Sequence, residues 1–156
     1  MLLWRQSESY SNQGGLTMNR EILFRGQRLE DGKWIYGYYF EHDMADGLRS
    51  YIRTPQAYRF GTDFAVDPAT VGQYTGQNAA CKDSQGQICR KQQVFEHDIL
   101  ADQNGKIIGC VKFTDERGWM VGVESLYDYT DRYDEKEALI IGNIHDNPDM
   151  LKGGEK

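Results

Sequence analysis

The stretch Lys33-Trp34-Ile35-Tyr36-Gly37-Tyr38-Tyr39-Phe40-Glu41-His42 decides the fold class. Its side chains alternate, with Trp34, Tyr36, Tyr38 and Phe40 on one face of an extended chain and Ile35, Gly37, Tyr39 and Glu41 on the other. A helix would scatter those aromatics around its surface, whereas the two-residue period of a strand lines them up. Just upstream, Glu30-Asp31-Gly32 supplies a turn, because Asp-Gly readily takes the backbone that a hairpin needs. Glu21 to Leu29 reads as the partner strand, bent at Gly26.

Working outward, the same grammar repeats. Asp43 to Gly47 reads as a polar loop, and Arg49 to Thr54 as a short strand stopped by Pro55. Phe64 to Asp67 is another short strand, Asp67-Pro68-Ala69-Thr70 a turn, and Val71 to Gly76 an extended segment. Residues 77–92 are polar and contain Asp83-Ser84-Gln85-Gly86, which predicts an excursion loop. Val94 to Leu100 enters a strand, and Asn104-Gly105 is the strongest hairpin signal in the chain. Lys106 to Phe113 and Trp119 to Val123 pair across Asp115-Glu116-Arg117-Gly118, and Ala138 to Ile144 is the last strand. Between them, residues 125–137 are acidic and tyrosine-rich, with a helical turn at most. The expectation is a mainly β protein of small antiparallel sheets with little helix, closed or nearly closed into a barrel that removes exposed edges.

Composition fits. The 156 residues suffice for one compact domain or two small β subdomains, and 10 Tyr, 6 Phe and 3 Trp supply the bulk of a core. Seventeen Gly against three Pro suit tight turns and argue against proline-rich linkers. A net charge of −6 repels phosphate, and Arg49, Arg53 and Arg59, like Lys82, Arg90 and Lys91, are scattered rather than massed, so nucleic acid is disfavoured as a partner. No apolar run approaches ~18 residues and no signal peptide is recognisable, so no membrane partner and a cytoplasmic location are expected. Three cysteines, Cys81, Cys89 and Cys110, are an odd number and read as free thiols in a reducing compartment. Residues 1–17 are polar and aperiodic, and read as a disordered or translated leader ahead of a natural start at Met18.

Several phrases stand in order: Arg20-Glu21-Ile22-Leu23-Phe24-Arg25-Gly26, Trp34-Ile35-Tyr36-Gly37-Tyr38, Val66 through Gly76, Phe95-Glu96-His97-Asp98-Ile99-Leu100, and Ile141 through Pro148. This ordered set, from about Met18 to Leu151, resembles the YopX-like family of phage and prophage proteins. The resemblance implies an SH3-like β-roll in the C-terminal half, a mobile-element origin and no established activity. It divides the chain into an N-terminal β part over about 18–75, an SH3-like part over about 76–148 and a tail at 152–156. The matched motif positions are Trp34, Tyr36, Gly37, Gly72, Gln73, Tyr74, Thr75, Gly76, Phe95, Asp98, Gly142, Asn143, Asn147 and Pro148, with no role attached to them. The chain departs from the pattern at His97, where the family usually has Gly, and at Gln93-Val94, where Lys-Ile usually precedes Phe. The segment between Gly76 and Val94 is altered too.

Each chemical template fails on spacing or geometry. Cys81, Cys89 and His97 recur every eight residues, but structural zinc sites bring ligands in close pairs and no Cys-x-x-Cys exists. The three read as two loop thiols and a strand-edge histidine, while Cys110, alternating with Ile108, reads as a small core residue. His97 and His145 each precede an aspartate, Asp98 and Asp146, but consecutive strand side chains point to opposite faces, so neither pair is a catalytic dyad. Asp98 reads as a turn residue bonding backbone where a strand begins. Asp128, Asp131, Asp134, Glu135 and Glu137 lack the alternation and central Gly of a calcium loop. Gly72 and Gly76 are followed by no Lys-Ser/Thr and open no helix, so they cradle no phosphate. No catalytic residue, metal or cofactor is therefore expected. The sequence points to a non-enzymatic binding or assembly module whose partner is a protein, a second copy of itself included. An enzyme with an unrecognised site and a nucleic-acid-associated factor stand as the alternatives.

Overall fold

The aromatic stretch forms β2 (Trp34–Met44), paired antiparallel with β1 (Phe24–Gln27) in a register that sets Gln27 opposite Trp34 and Phe24 opposite Gly37. The computed structural model describes residues 21–55, 62–130 and 138–153, so the leader expected over 1–17 lies outside the described residues. So do Arg59, Asp131, Asp134, Glu135 and Glu137. β2 runs on beyond the aromatics and turns tightly into β3 (Gly47–Arg53), with Met44 opposite Gly47. The polar loop expected at Asp43–Gly47 is thus mostly strand. Both strands are exposed there, so no apolar alternation marks them, yet cross-strand backbone pairing needs none. β4 (Asp63–Ala65) adds to β3. A single 3-10 turn follows at Pro68–Thr70, capped by the Asp67 side chain accepting from Ala69 N at 3.0 Å.

The excursion loop expected over 77–92 is a long hairpin instead. β5 (Gly72–Lys82) pairs antiparallel with β6 (Ile88–Phe95). The signalled turn is real: Asp83 Oδ1 accepts from Gln85 N and Gln87 N, each at 2.9 Å. The flanking strands escaped notice because their buried residues are small, Ala79, Ala80 and Cys81, and give a weak hydrophobic signal. Cys81 is disulfide-bonded, against the expectation of free thiols. The register sets it directly opposite Cys89, which explains how a loop-like spacing of eight serves a cross-strand position. Cys110 is free and buried.

Val94 to Leu100 is two strands rather than one. β6 ends at Phe95 and β7 (Asp98–Ala101) begins after a turn, in which His97 takes φ 73°. His97 is therefore a turn residue and not a strand-edge one. β7 pairs with β8 (Ile107–Thr114) across the Asn104-Gly105 turn, where Asp102 Oδ1 accepts from Asn104 N and Lys106 N. β9 (Gly118–Val121) returns along β8, β10 (Glu124–Ser125) follows it, and α1 (Tyr127–Thr130) is a single helical turn. β11 (Leu139–Asn143) closes the order, antiparallel to β7 and parallel to β5.

The strands form one sheet in the order β10-β9-β8-β7-β11-β5-β1-β2-β3-β4, with β6 attached to β5. This corrects the closed or nearly closed barrel: β10 and β4 stand at opposite ends of the order and no pairing joins them. The main apolar core lies under β5 to β9 and β11, built from Ala79, Val94, Leu100, Val111, Val121, Leu126 and Ala138. No helix among the described residues is long and apolar enough to cross a membrane.

Candidate functional site: a polar clasp between the chain's two ends

The motif residues converge where β1 and β2, the β6–β7 turn and the end of β11 meet. β1 carries a charge into an apolar setting: Arg25 is 7% exposed. Its Nη2 donates to Asp98 Oδ1 at 2.7 Å and to Glu96 O at 3.3 Å. The guanidinium lies over the rings of Trp34 and Phe95, at 4.8 and 5.1 Å to their centroids. Its Nε is buried with no hydrogen-bond partner among the described residues. Asp98 is 2% exposed and also accepts from Phe95 N at 2.8 Å. Its expected turn role is present, and the ion pair with Arg25 is added to it. Burial pushes the Asp98 carboxyl above its ordinary range, against the lowering pull of Arg25 and of Phe95 N–H.

A second carboxylate, Asp146, gathers three donors: Trp34 Nε1 at 2.7 Å, Gln27 Nε2 at 2.9 Å and Asn143 Nδ2 at 2.9 Å. Burial raises this carboxyl, but the bonds from Asn143 and Trp34 outweigh it and hold it below the ordinary range. Asn143 Oδ1 accepts from His145 N and Asp146 N, each at 3.0 Å, which folds the chain after β11 into a tight turn. Asn147 Oδ1 accepts from Asn143 N and packs on Gly142, where any Cβ would collide with that oxygen. Pro148 then occupies the second position of a turn closed by Met150 N to Asn147 O at 3.1 Å.

The remaining motif positions frame this clasp. A Cβ at Gly72 would stand 2.7 Å from Glu96 O, so only glycine lets β5 pass the β6–β7 turn this closely. Gln73 O accepts from Glu96 N at 2.9 Å, and Thr75 Oγ1 donates to Val94 O at 2.8 Å. Tyr36 and Tyr74 pack against Phe95 with centroids 5.4 and 5.7 Å away. Gly37 is buried on the opposite face of β2, and Gly76 lies within β5. Trp34, Tyr36, Phe95, Asp98, Gly142, Asn143 and Asn147 are thus brought together or adjacent. Gly37 serves close packing against Arg53 O, and Gly76 is an exposed position with φ 84°.

Sequence reasoning missed Arg25, Gln27 and the partnership of the two histidines. His145 Nε2 and His97 Nδ1 are 3.1 Å apart. Burial, then the nearby positive charge, lowers both imidazoles below their ordinary values. One local signal existed for Arg25: a charge between Phe24 and Gly26 in a strand otherwise set to be buried. No local signal existed for the others, since their partners lie tens of residues away.

Three concavities lie near or beside the clasp. One of about 280 Å³ opens over the ion pair, lined by Arg25, Tyr36, Gln92, Gln93, Phe95, Asp98 and Ile140. A neighbour of about 480 Å³ is lined by Glu21, Ile22, Leu23, Tyr36, Tyr38, Pro55 and Gln93. A third, of about 570 Å³, lies between β5 and β9 and includes Tyr74, Arg117, Trp119 and Tyr127. No group of three or more metal-ligating side chains occurs among the described residues, and Cys81 is committed to its disulfide.

With this geometry in place, the family model described as YopX protein matches residues 23–152, most of the chain. The chain belongs to the YopX family. No curated protein matches it.

Proposed function

We propose that the chain is a phage- or prophage-encoded binding module that acts without catalysing a reaction, and that it docks a protein on the Ile22–Tyr36–Tyr38 surface. The observation that carries this reading is that these three side chains are 60, 45 and 57% exposed and line one concavity of about 480 Å³. Aromatic side chains left in water next to a concave apolar wall suit a protein interface, where tyrosine contributes large area at small entropic cost. The polar groups argue in the same direction. Asp98 is taken up by Arg25 and Phe95 N, and Asp146 by three donors, so both carboxylates of the clasp are spent on holding the chain. The strand order β11-β7-β8-β9-β10, with a helical turn before β11, supports an SH3-like roll in the C-terminal half. The proposed compartment is the cytoplasm of the bacterial host, where the Cys81 disulfide meets a reducing thiol pool.

Two of the arginines that could meet nucleic acid are already engaged: Arg49 pairs with Asp46, and Arg53 pairs with Asp63 and stacks on Phe40. A photo-crosslinking benzoylphenylalanine in place of the exposed Gln93 tests the surface. The expected result is one discrete adduct in host extract, with a second copy or another protein, abolished by Tyr38→Glu. No adduct, or one indifferent to Tyr38→Glu, removes this face as the docking site.

A further inference from the structure

We propose that His97 and His145 form a two-histidine binding site for a divalent transition-metal ion of the zinc, nickel or copper kind. This stands independently of the docking surface above. Imidazole binds these ions through nitrogen at about 2.0–2.1 Å. Two such ligands are therefore about 2.9 Å apart at a right angle and about 3.4 Å apart at the tetrahedral angle. The 3.1 Å between His145 Nε2 and His97 Nδ1 falls between those limits, so the pair has the spacing of two ligands on one ion, and the rings turn by about 40° to aim both nitrogens at it. The rings meet at 75° with centroids 5.0 Å apart.

Two further observations support a built site. His97 is the one residue other than glycine with positive φ among the described residues, at 73°. The chain accepts backbone strain there for a side chain, a pattern that collects at functional positions. Both rings hang from fixed backbone: His97 N donates to Val111 O at 2.9 Å, His97 O accepts from Ile144 N at 3.1 Å, and His145 N donates to Asn143 Oδ1 at 3.0 Å.

The pair shares one N–H in the metal-free state. Metal binding needs both facing nitrogens bare, so the donating imidazole moves that proton to its other ring nitrogen, with no net proton released. Asp146 is held in place by three donors, and water fills the remaining coordination positions, so the site is open and exchangeable, unlike a closed structural zinc.

The test uses the untagged full-length chain, oxidised and stripped with chelator, titrated with NiCl2 and ZnCl2 by calorimetry and followed through histidine ring protons by NMR. The expected result is one ion per chain, with nickel broadening the rings of His97 and His145 and sparing the exposed His42. Affinity should fall roughly tenfold or more in both His97→Gly and His145→Gln, because each loses the preorganised second ligand. His97→Gly also relieves the backbone strain, so it should melt no lower than the wild type. Equal affinity in the wild type and both variants, or no binding up to millimolar metal, overturns the proposal and leaves the contact a proton-sharing pair.

Discussion

The two ends of the sheet are held by different physics. Under β7 to β9 and β11, Leu100, Val111, Val121, Leu126 and Ala138 are buried to within 1% exposure and pack on one another, each larger side chain contributing about 1.5–3 kcal/mol by burial. In β1 to β4 and the bridge after it, only Ile52 and Val66 of the described apolar residues are buried to that degree. Beyond the short β1–β5 ladder, that N-terminal part is fastened to the rest by directional side-chain contacts: Arg25 to Asp98, and Gln27 and Trp34 to Asp146. The difference teaches what the clasp does in this chain. It substitutes for a core where the sheet is too thin to have one, and it is intolerant of partial loss in a way that an apolar core is not.

The largest expected effect strikes the clasp. Asp98→Ala leaves Arg25 buried without its counter-charge and should cost about 3–5 kcal/mol, read from urea unfolding. Replacing both partners, Arg25→Met with Asp98→Leu, should recover most of that loss, because the desolvated charges go together. A loss below about 1 kcal/mol in Asp98→Ala would mean that the apolar half carries the hairpin unaided. A smaller effect separates the halves. Trp34→Phe keeps a ring but removes the donor to Asp146, at a cost of about 1 kcal/mol. Hydrogen exchange should quicken in β1 and β2 while β8 and β9 stay protected. Uniform quickening would erase the distinction between the two ends.

The smallest effect belongs to the apolar half. The Tyr129 hydroxyl donates to Glu124, and that bond, with burial behind it, pushes its pKa up to about 12. A raised folded-state pKa contributes stability that is full below the ordinary tyrosine value and fades as pH climbs from about 10 toward 12. Absorbance titration should show one phenol ionising about two pH units late, and Tyr129→Phe should delete that late step alone.

What could be read in advance were features written in neighbouring residues. Asp31-Gly32 and Asn104-Gly105 mark their turns, and the aromatic alternation of β2 marks its strand. The hairpin of β5 and β6 was hidden because alanines and a cysteine fill its buried positions, and the exposed end of β2 because nothing apolar marks it. The family resemblance located Trp34, Asp98, Asn143 and Asn147 without saying that they meet. Their meeting depends on contacts such as Arg25 with Glu96, 71 residues apart, which no local pattern records. His97 was visible as a departure from glycine, but its reason appears only when His145 is beside it.

The clasp also orders events in time. Trp34 and Gln27 bond a residue that is 112 and 119 positions downstream. At a synthesis rate of about 5–20 residues per second, that partner emerges roughly 5–20 s after the hairpin that needs it. The hairpin of β1 and β2 is therefore made well before it is secured. A ribosome stalled before Asp146 holds a chain whose leading sheet, with its exposed tyrosines, is still waiting for its fastener.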